Sequence, residues 1–294
     1  MAPEELQALK VTGEFHWGYS IRAVSESAAA HPYMVPPPST LIGALSYGLT
    51  RVRGLSECTN IEGKLASRTL EAYSIVSWAT FGLQDERKEM AIVAHGYSDP
   101  VRLFRLPYQR GARHEWAQRD MWFGVAAHGK TYYPTGGFKI LYLIRKREAE
   151  EILGGDYQEI LLRSCASICR LGSREGLVSI ESVELSEDLQ RINPPARTSL
   201  YFPARLVVEI EEERGEDILL PILTQMRDAL IFRGVSLWMG DHERYILPVI
   251  ARNVRAPGEL EIHQLAEEGA LLKVAFPKGE EIVVIPKEIL EGDT

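Results

Sequence analysis

Cysteine, asparagine, long apolar runs and the familiar catalytic motifs are all scarce or missing in this chain. Three cysteines occur in 294 residues, Cys58, Cys165 and Cys169. Cys165 and Cys169, four apart, would share a helix face, but two thiols without further His or Cys partners make a poor zinc site, so no metal is expected, and all three read as small buried residues. No apolar run reaches the roughly 20 residues needed to cross a bilayer. The start, Met1-Ala2-Pro3-Glu4-Glu5, is acidic and lacks the basic and apolar regions of a signal peptide. A cytoplasmic protein without a membrane partner is expected. Asn60, Asn193 and Asn253 are the only asparagines, and Arg greatly outnumbers Lys, a composition that suits a thermophile. There is no Walker A loop, no dinucleotide fingerprint, no His-Glu-x-x-His and no Gly-x-Ser-x-Gly. The chemistries those motifs carry are therefore not indicated, and no cofactor is expected.

What remains is ordinary in amount and uneven in distribution. Hydrophobic residues make up 45% and charged residues 25%, enough for one large or two small globular domains. The formal net charge is −8. Between Val101 and Arg147, however, ten Lys or Arg face only Glu115 and Asp120, leaving that stretch at +8 and the remainder at −16. A polyanion would meet this middle stretch, and the acidic remainder would limit indiscriminate binding.

The rest of the chain is organised around Pro36-Pro37-Pro38-Ser39-Thr40-Leu41-Ile42-Gly43-Ala44-Leu45. Each proline fixes its own φ and pushes the residue before it out of the helical region, so the lead-in is extended. Ser39 is placed to cap a first helical turn. Leu41, Ile42, Leu45, Leu49 and Val52 recur at helical spacing and mark a buried face, and Gly43 and Ala44 allow a close neighbour. This predicts a helix over roughly Thr40 to Val52, ended by Gly54. Its N-terminus, with unpaired amides and a positive dipole, would suit an anion. A capped core helix explains the same residues without a ligand.

A second stretch, Arg170-Leu171-Gly172-Ser173-Arg174-Glu175-Gly176-Leu177-Val178-Ser179, joins a helix end to a strand. It reads either as a helix C-cap and turn or as a loop whose amides and Arg174 hold RNA near the first helix. The decapeptide resembles the Pro-Pro-Pro-Ser-Thr-Leu-Ile-Gly-Ala-Leu signature of the CRISPR-associated "Cas five" family. The second stretch resembles the Arg-Leu-Gly-Ser-Lys/Arg-Glu segment of its archaeal type I-A branch. Together these motifs cover about twenty residues, in the order and separation of that family. The resemblance implies a RAMP-superfamily subunit of a Cascade complex, capping the 5′ end of the guide RNA.

In chain order, Leu9 to Ile21 reads as a strand with Val11, Phe15 and Trp17 inward, followed by a small polar loop to Tyr33. Lys64 to Ala79 mixes helical and β signals. Ala91 to Tyr97 and Val101 to Leu106 read as strands, the second with alternating Arg. The basic, aromatic stretch Pro107 to Arg119 follows, so a long hairpin with an exposed basic tip is expected. Phe138 to Ile144 is a strand, Ala149 to Arg170 a helix interrupted at Gly154-Gly155, and Leu177 to Leu185 a strand. Ala204 to Ile210 reads as a strand and Asp217 to Phe232 as a helix. Strands are expected around Arg244 to Ile250, at Leu271 to Phe276 and at Ile282 to Ile285, with a turn at Pro277-Lys278-Gly279. The fold expected is α+β. Residues 1–204 would form a ferredoxin-like (RRM/RAMP) domain with a basic β-hairpin insertion at about 91–135. Residues 205–294 would form a smaller α+β or β-rich domain.

By this resemblance the protein is a non-catalytic, type I-A-like Cascade subunit for antiviral defence. It would bind the 5′ handle of CRISPR RNA (crRNA) and touch the Cascade backbone and large subunits. Target DNA and the helicase-nuclease would be met indirectly. Arg22, Ser39, Thr40, Gly172, Ser173 and Arg174 are the residues expected near the handle. The hairpin would be a "thumb" over the RNA, with Arg102, Arg105, Arg110, Arg113 and Arg119 on phosphates and Trp116, Tyr108 or His114 stacking on a base. A surface hairpin or a protein contact would use the same residues differently. Two alternatives stand beside this reading. One is a metal-independent endoribonuclease that processes crRNA precursors with His114 or His128, Lys130 and a tyrosine. The other is a RAMP subunit of a type III effector.

Overall fold

The computed structural model describes residues 5–21, 32–61, 63–84, 93–101, 124–134, 136–173, 175–211, 214–222, 242–251 and 255–291. Strand β1 (Leu6–Phe15) runs into a short β2 (Gly18–Tyr19), and helix α1 covers Pro38–Val52. A small hairpin, β3 (Cys58–Ile61) and β4 (Lys64–Ser67), precedes helix α2 (Thr69–Ile75) and strand β5 (Val76–Gln84). Strands β6 (Val93–Val101) and β7 (Gly124–Tyr132) pair antiparallel ahead of β8 (Gly137–Arg145). Helices α3 (Lys146–Leu153) and α4 (Tyr157–Ala166) then lead to β9 (Val178–Ser186).

Four of these strands form one antiparallel sheet in the order β5-β8-β1-β9. Strand alternation divides its side chains between two cores. Leu9, Val11 and Phe15 face the helices and pack with Leu41, Leu45, Leu49, Ile75 and Leu161. Leu6 and Ala8 face the other way, with Trp78, Leu141 and Leu143. Because both faces are covered, β8 reads Phe-Lys-Ile-Leu-Tyr-Leu-Ile, nearly without polar interruption.

The second cover is built from the C-terminal part. There the strands are β10 (Leu189–Ile192), β11 (Ala196–Thr198), β12 (Phe202–Pro203), β13 (Val207–Ile210), β14 (Gly215–Pro221) and β15 (His242–Ala251). They continue with β16 (Arg255–Pro257), β17 (Leu260–Leu265), β18 (Gly269–Phe276) and β19 (Gly279–Pro286), before a last helical turn, α5 (Glu288–Glu291). Three small sheets result, ordered β10-β18-β19, β11-β17-β13 and β12-β15-β14. Leu272, Val274, Val283 and Ile285 pack against Leu6, Ala8, Leu141 and Leu143. At that seam the buried Lys10 ammonium lies 3.2 Å from Glu184 and 4.5 Å from the centre of the Phe276 ring. The architecture is α+β, mostly β.

Several expectations change. Helix α4 stops at Ala166 and not at Arg170. The Ser167 amide is shared between the Arg163 and Ser164 carbonyls and its hydroxyl donates to Ser164 O at 2.8 Å, which closes the last turn. Residues 169 and 170 then turn to β pairing, with Val178 N–H on Cys169 O and a bridge between Arg170 and Leu177. The segment expected as a helix from Asp217 begins as strand β14, with Ile218 and Leu220 inward and Leu219 outward; 223–232 lies outside the described residues. The strand expected from Ala204 starts with a 3-10 turn, Ala204–Leu206. Trp17 falls after the end of β1 and is half-buried, not a core residue. Of the cysteines only Cys165 is buried; Cys58 and Cys169 are exposed.

Candidate nucleic-acid interface

The proline stretch is fastened by tyrosines from three parts of the chain. Tyr19 donates its hydroxyl to Met34 O. Tyr201 donates to Pro36 O at 3.1 Å, and Tyr142 to Leu41 O at 2.8 Å. Thr131 Oγ1 donates to Tyr33 O at 3.0 Å, and the Tyr33 hydroxyl meets His242 Nε2 at 2.7 Å. Burial pushes the phenols of Tyr19, Tyr142 and Tyr201 well above their ordinary range. They stay protonated, as donors to carbonyls must.

The fastened segment delivers α1 with Pro37 at the N-cap and Pro38 as the first helical residue. Ser39 is therefore inside the helix and makes no cap bond, which corrects its expected role. The prolines favour the helix start through their fixed φ, but they also remove donors. The Thr40 and Leu41 amides both bond to Pro37 O, at 2.9 and 3.3 Å. The start of α1 is consequently poorer in amides for an anion than the dipole argument alone predicts. At the other end, Gly54 at φ +64° and Leu55 return their amides to Arg51 and Thr50 carbonyls, a Schellman closure.

The polar face of α1 carries the site. Thr40, Gly43, Ala44 and Tyr47 line a cleft of ≈ 300 Å³ whose other wall is Ile168, Arg170 and Gly172. The two sequence stretches, more than a hundred residues apart, thus face each other. Gly43 leaves its wall open, because a Cβ there would meet nothing within 4 Å. The Arg170 and Arg51 guanidinium groups lie over the Tyr47 ring, at 5.3 and 5.9 Å from its centre. A guanidinium held on an aromatic face keeps N–H groups that an anion could accept from.

The second stretch is a compact turn. Leu171 N–H bonds to Gly176 O at 2.8 Å and Gly176 N–H to Ser173 O at 3.0 Å. Gly172 sits at φ +79°, and a Cβ on it would fall 2.4 Å from Ile21 Cγ1. Beyond the turn, Trp17 Nε1 donates to Glu175 O at 2.7 Å, Lys130 Nζ lies 5.3 Å from the Trp17 ring centre, and the Tyr132 ring meets Trp17 edge-on at 5.8 Å.

Of the residues expected at the handle, Thr40 and Gly172 line the cleft, Ser39 and Ser173 are adjacent to those walls in sequence, and Arg22 and Arg174 lie outside the described residues. Arg102, Arg105, Arg110, Arg113, Trp116 and Arg119 also lie outside them, as do His114 and Tyr108. The base of the expected hairpin is present as β6 and β7, with β7 also paired to β2. Tyr47, Arg51 and Arg170 were not among the expected site residues. For Tyr47 and Arg51 a signal was available: Thr40, Gly43, Ala44, Tyr47 and Arg51 recur at the spacing of one helix face, opposite the leucines. Among the described residues no group of three or more His, Cys, Asp or Glu is placed to hold a metal. No described helix is long and apolar enough to cross a membrane.

No protein-family model matches the chain. It is 30% identical over 275 residues to the CRISPR-associated protein Cas5 3 of Saccharolobus solfataricus, covering 94% of this chain and 98% of that protein. It is 29% identical over 211 residues to Cas5 2 of the same organism, covering 70% and 72% of the two chains. A third relative there, a CRISPR system aCascade subunit named Cas5 1, is 29% identical over 242 residues, covering 82% and 87%. A CRISPR protein from Archaeoglobus fulgidus shares the fold, with a TM-score of 0.52 at 15% identity over 95% of this chain and 99% of that one.

Proposed function

The chain belongs to the Cas5 family of CRISPR-associated proteins, and we propose that it is a non-catalytic subunit of a type I, I-A-like Cascade complex. In this reading it binds the 5′ handle of crRNA and caps the filament of backbone subunits. The observation that carries it is the convergence of the two family stretches on one cleft, with Arg170 over Tyr47. Guanidinium and phenol side by side can take a phosphate and a base of one nucleotide, the pattern by which proteins hold single-stranded RNA. Partners are the crRNA, the backbone subunit and the large subunit, with target DNA met through the complex, in the cytoplasm.

The four-stranded sheet is read as ferredoxin-like. Two helix-linked halves, β1-α1-β5 and β8-α4-β9, interleave in the order β5-β8-β1-β9, which supports that reading. The β6–β7 hairpin inserted between β5 and β8 is the proposed thumb, and the basic stretch 102–123 would be its tip. The division into residues 1–204 and 205–294 is kept as a proposal. The supporting feature is that the later residues supply most of the three small sheets, while β10, β11 and β12 join them from the other side.

Fluorescence anisotropy with labelled crRNA, with and without its handle, tests the function. Handle-dependent binding is expected, at least tenfold weaker in Arg170→Ala and Tyr47→Ala, and weakened also in Arg110→Ala/Arg113→Ala. Intact RNA is expected after incubation without metal. Handle-independent binding, or specific cleavage of a repeat RNA, would overturn the reading in favour of another RAMP role or a processing nuclease.

A further inference from the structure

We propose that Trp17, Tyr132 and Lys130 form a second nucleotide site, a stacking platform for one unpaired RNA base next to the cleft. It rests on the RNA-binding reading above and extends it to three residues that neither family stretch contains.

The Trp17 ring is fixed before any ligand arrives. Its N–H is tied to Glu175 O at 2.7 Å, its edge is braced by Tyr132 at 5.8 Å, and an ammonium stands 5.3 Å from its centre. Tyr132 is 41% exposed, the one aromatic among the exposed large hydrophobic side chains of the described residues. An indole and a phenol beside a lysine fit the two parts of a nucleotide: ring for base, ammonium for phosphate.

The position argues for a shared strand. The turn 171–176 forms one wall of the cleft at Gly172 and holds Trp17 through Glu175. Gly172 and Glu175 are three positions apart, so their Cα atoms are at most about 11 Å apart. A nucleotide on Tyr47 and Arg170 and another on Trp17 would belong to one RNA strand passing over this turn.

The Glu175 carboxylate supplies the exchange partner. It lies 3.4 Å from Lys130 Nζ, and its side chain is 50% exposed. A backbone phosphate can replace it on Lys130, leaving the carboxylate to water. The acid thus competes with RNA at this point, at low cost because it is already solvated.

The test uses the full chain and a crRNA carrying 2-aminopurine at one handle position at a time. One position should be quenched on binding, and Trp17→Ala should abolish that quench and weaken binding about tenfold. Trp17→Phe keeps a ring and loses the N–H bond, so it should retain most of the quench. Lys130→Gln should lower the salt dependence of binding by about one counterion. Glu175→Gln should tighten binding severalfold. Arg170-dependent binding with no position quenched would overturn the platform and leave the proposed function standing. Trp17→Phe as damaging as Trp17→Ala would show that the hydrogen bond to the turn matters and stacking does not. Trp17→Ala that weakens capture of the backbone subunit while RNA binding is unchanged would make the surface a protein contact. Absence of RNA binding by every version, alone and in the assembled complex, would overturn the functional reading itself.

Discussion

Lys139 Nζ lies 2.6 Å from a Glu281 carboxylate oxygen, across the seam between the four-stranded sheet and the β18–β19 hairpin. The same carboxylate group comes within 4.0 Å of Lys10, itself paired to Glu184. The side chains of Lys10, Lys139 and Glu281 are 6%, 15% and 14% exposed, so water offers them little compensation. Glu281→Ala should therefore cost about 3 kcal/mol in urea unfolding, because it strands the Lys139 ammonium, leaves Lys10 with Glu184 alone and does not simply delete a contact. Loss of less than 1 kcal/mol would show that the seam is wetter than its burial implies.

Two glycines of α1 should respond in opposite ways. Gly43 faces the open cleft, and a methyl there meets nothing within 4 Å. Gly43→Ala should raise stability by up to about 1 kcal/mol through helix propensity, and Gly43→Glu should fold while repelling RNA. A Cβ on Gly48 would fall 2.2 Å from Ser164 O of α4. Gly48→Ala should cost about 1–3 kcal/mol, because α1 and α4 must separate. Thermal unfolding of the three variants and their crRNA affinity check both statements.

Alkaline pH should destabilise the protein through its tyrosines. Burial raises the phenols of Tyr19, Tyr142 and Tyr201 above the ordinary value of 10.0. Above about pH 10 the unfolded chain releases protons that the folded chain retains, so stability is fully present below that pH and falls as pH rises. Tyr142→Phe should lose about 1 kcal/mol at neutral pH from its bond to Leu41 O. It should also show a shallower decline between pH 9.5 and 11. An unchanged slope would mean that Tyr142 ionises freely in the folded state.

Thiol titration should separate the cysteines. Cys58 and Cys169 are exposed, while Cys165 is fully buried in the core and burial pushes its thiol up. An aromatic disulfide reagent should label two thiols promptly and the third only on unfolding. Prompt labelling of all three would place α4 in exchange with an opened form.

The sequence made α1 legible because three prolines and a run of leucines say the same thing in two languages, turn chemistry and helical period. The strands of the four-stranded sheet were legible for their apolar density. Strand β14 was not, because Asp217-Ile218-Leu219-Leu220 fits both periods over so short a run, and Pro221 was the cue that disfavoured a helix there. The end of α4 turned on serine hydroxyls folding back on carbonyls, which no periodicity records. At the site, Gly172 and Thr40 stood out as parts of recognisable stretches. Tyr47 and Arg170 act only through each other, and their pairing exists once a β pairing brings Arg170 to the helix.

The tie from Tyr201 to Pro36 spans 165 positions of chain. During synthesis at roughly 5–20 residues per second, the proline segment would wait on the order of 8–33 s before its third tether emerges. A ribosome-bound fragment with β1, α1 and the basic stretch already exposed would still lack the anchored wall of the cleft. Under the proposed function, competence for a guide would thus wait until residue 201 has emerged, so that a shorter nascent chain carries the basic stretch without the anchored proline segment.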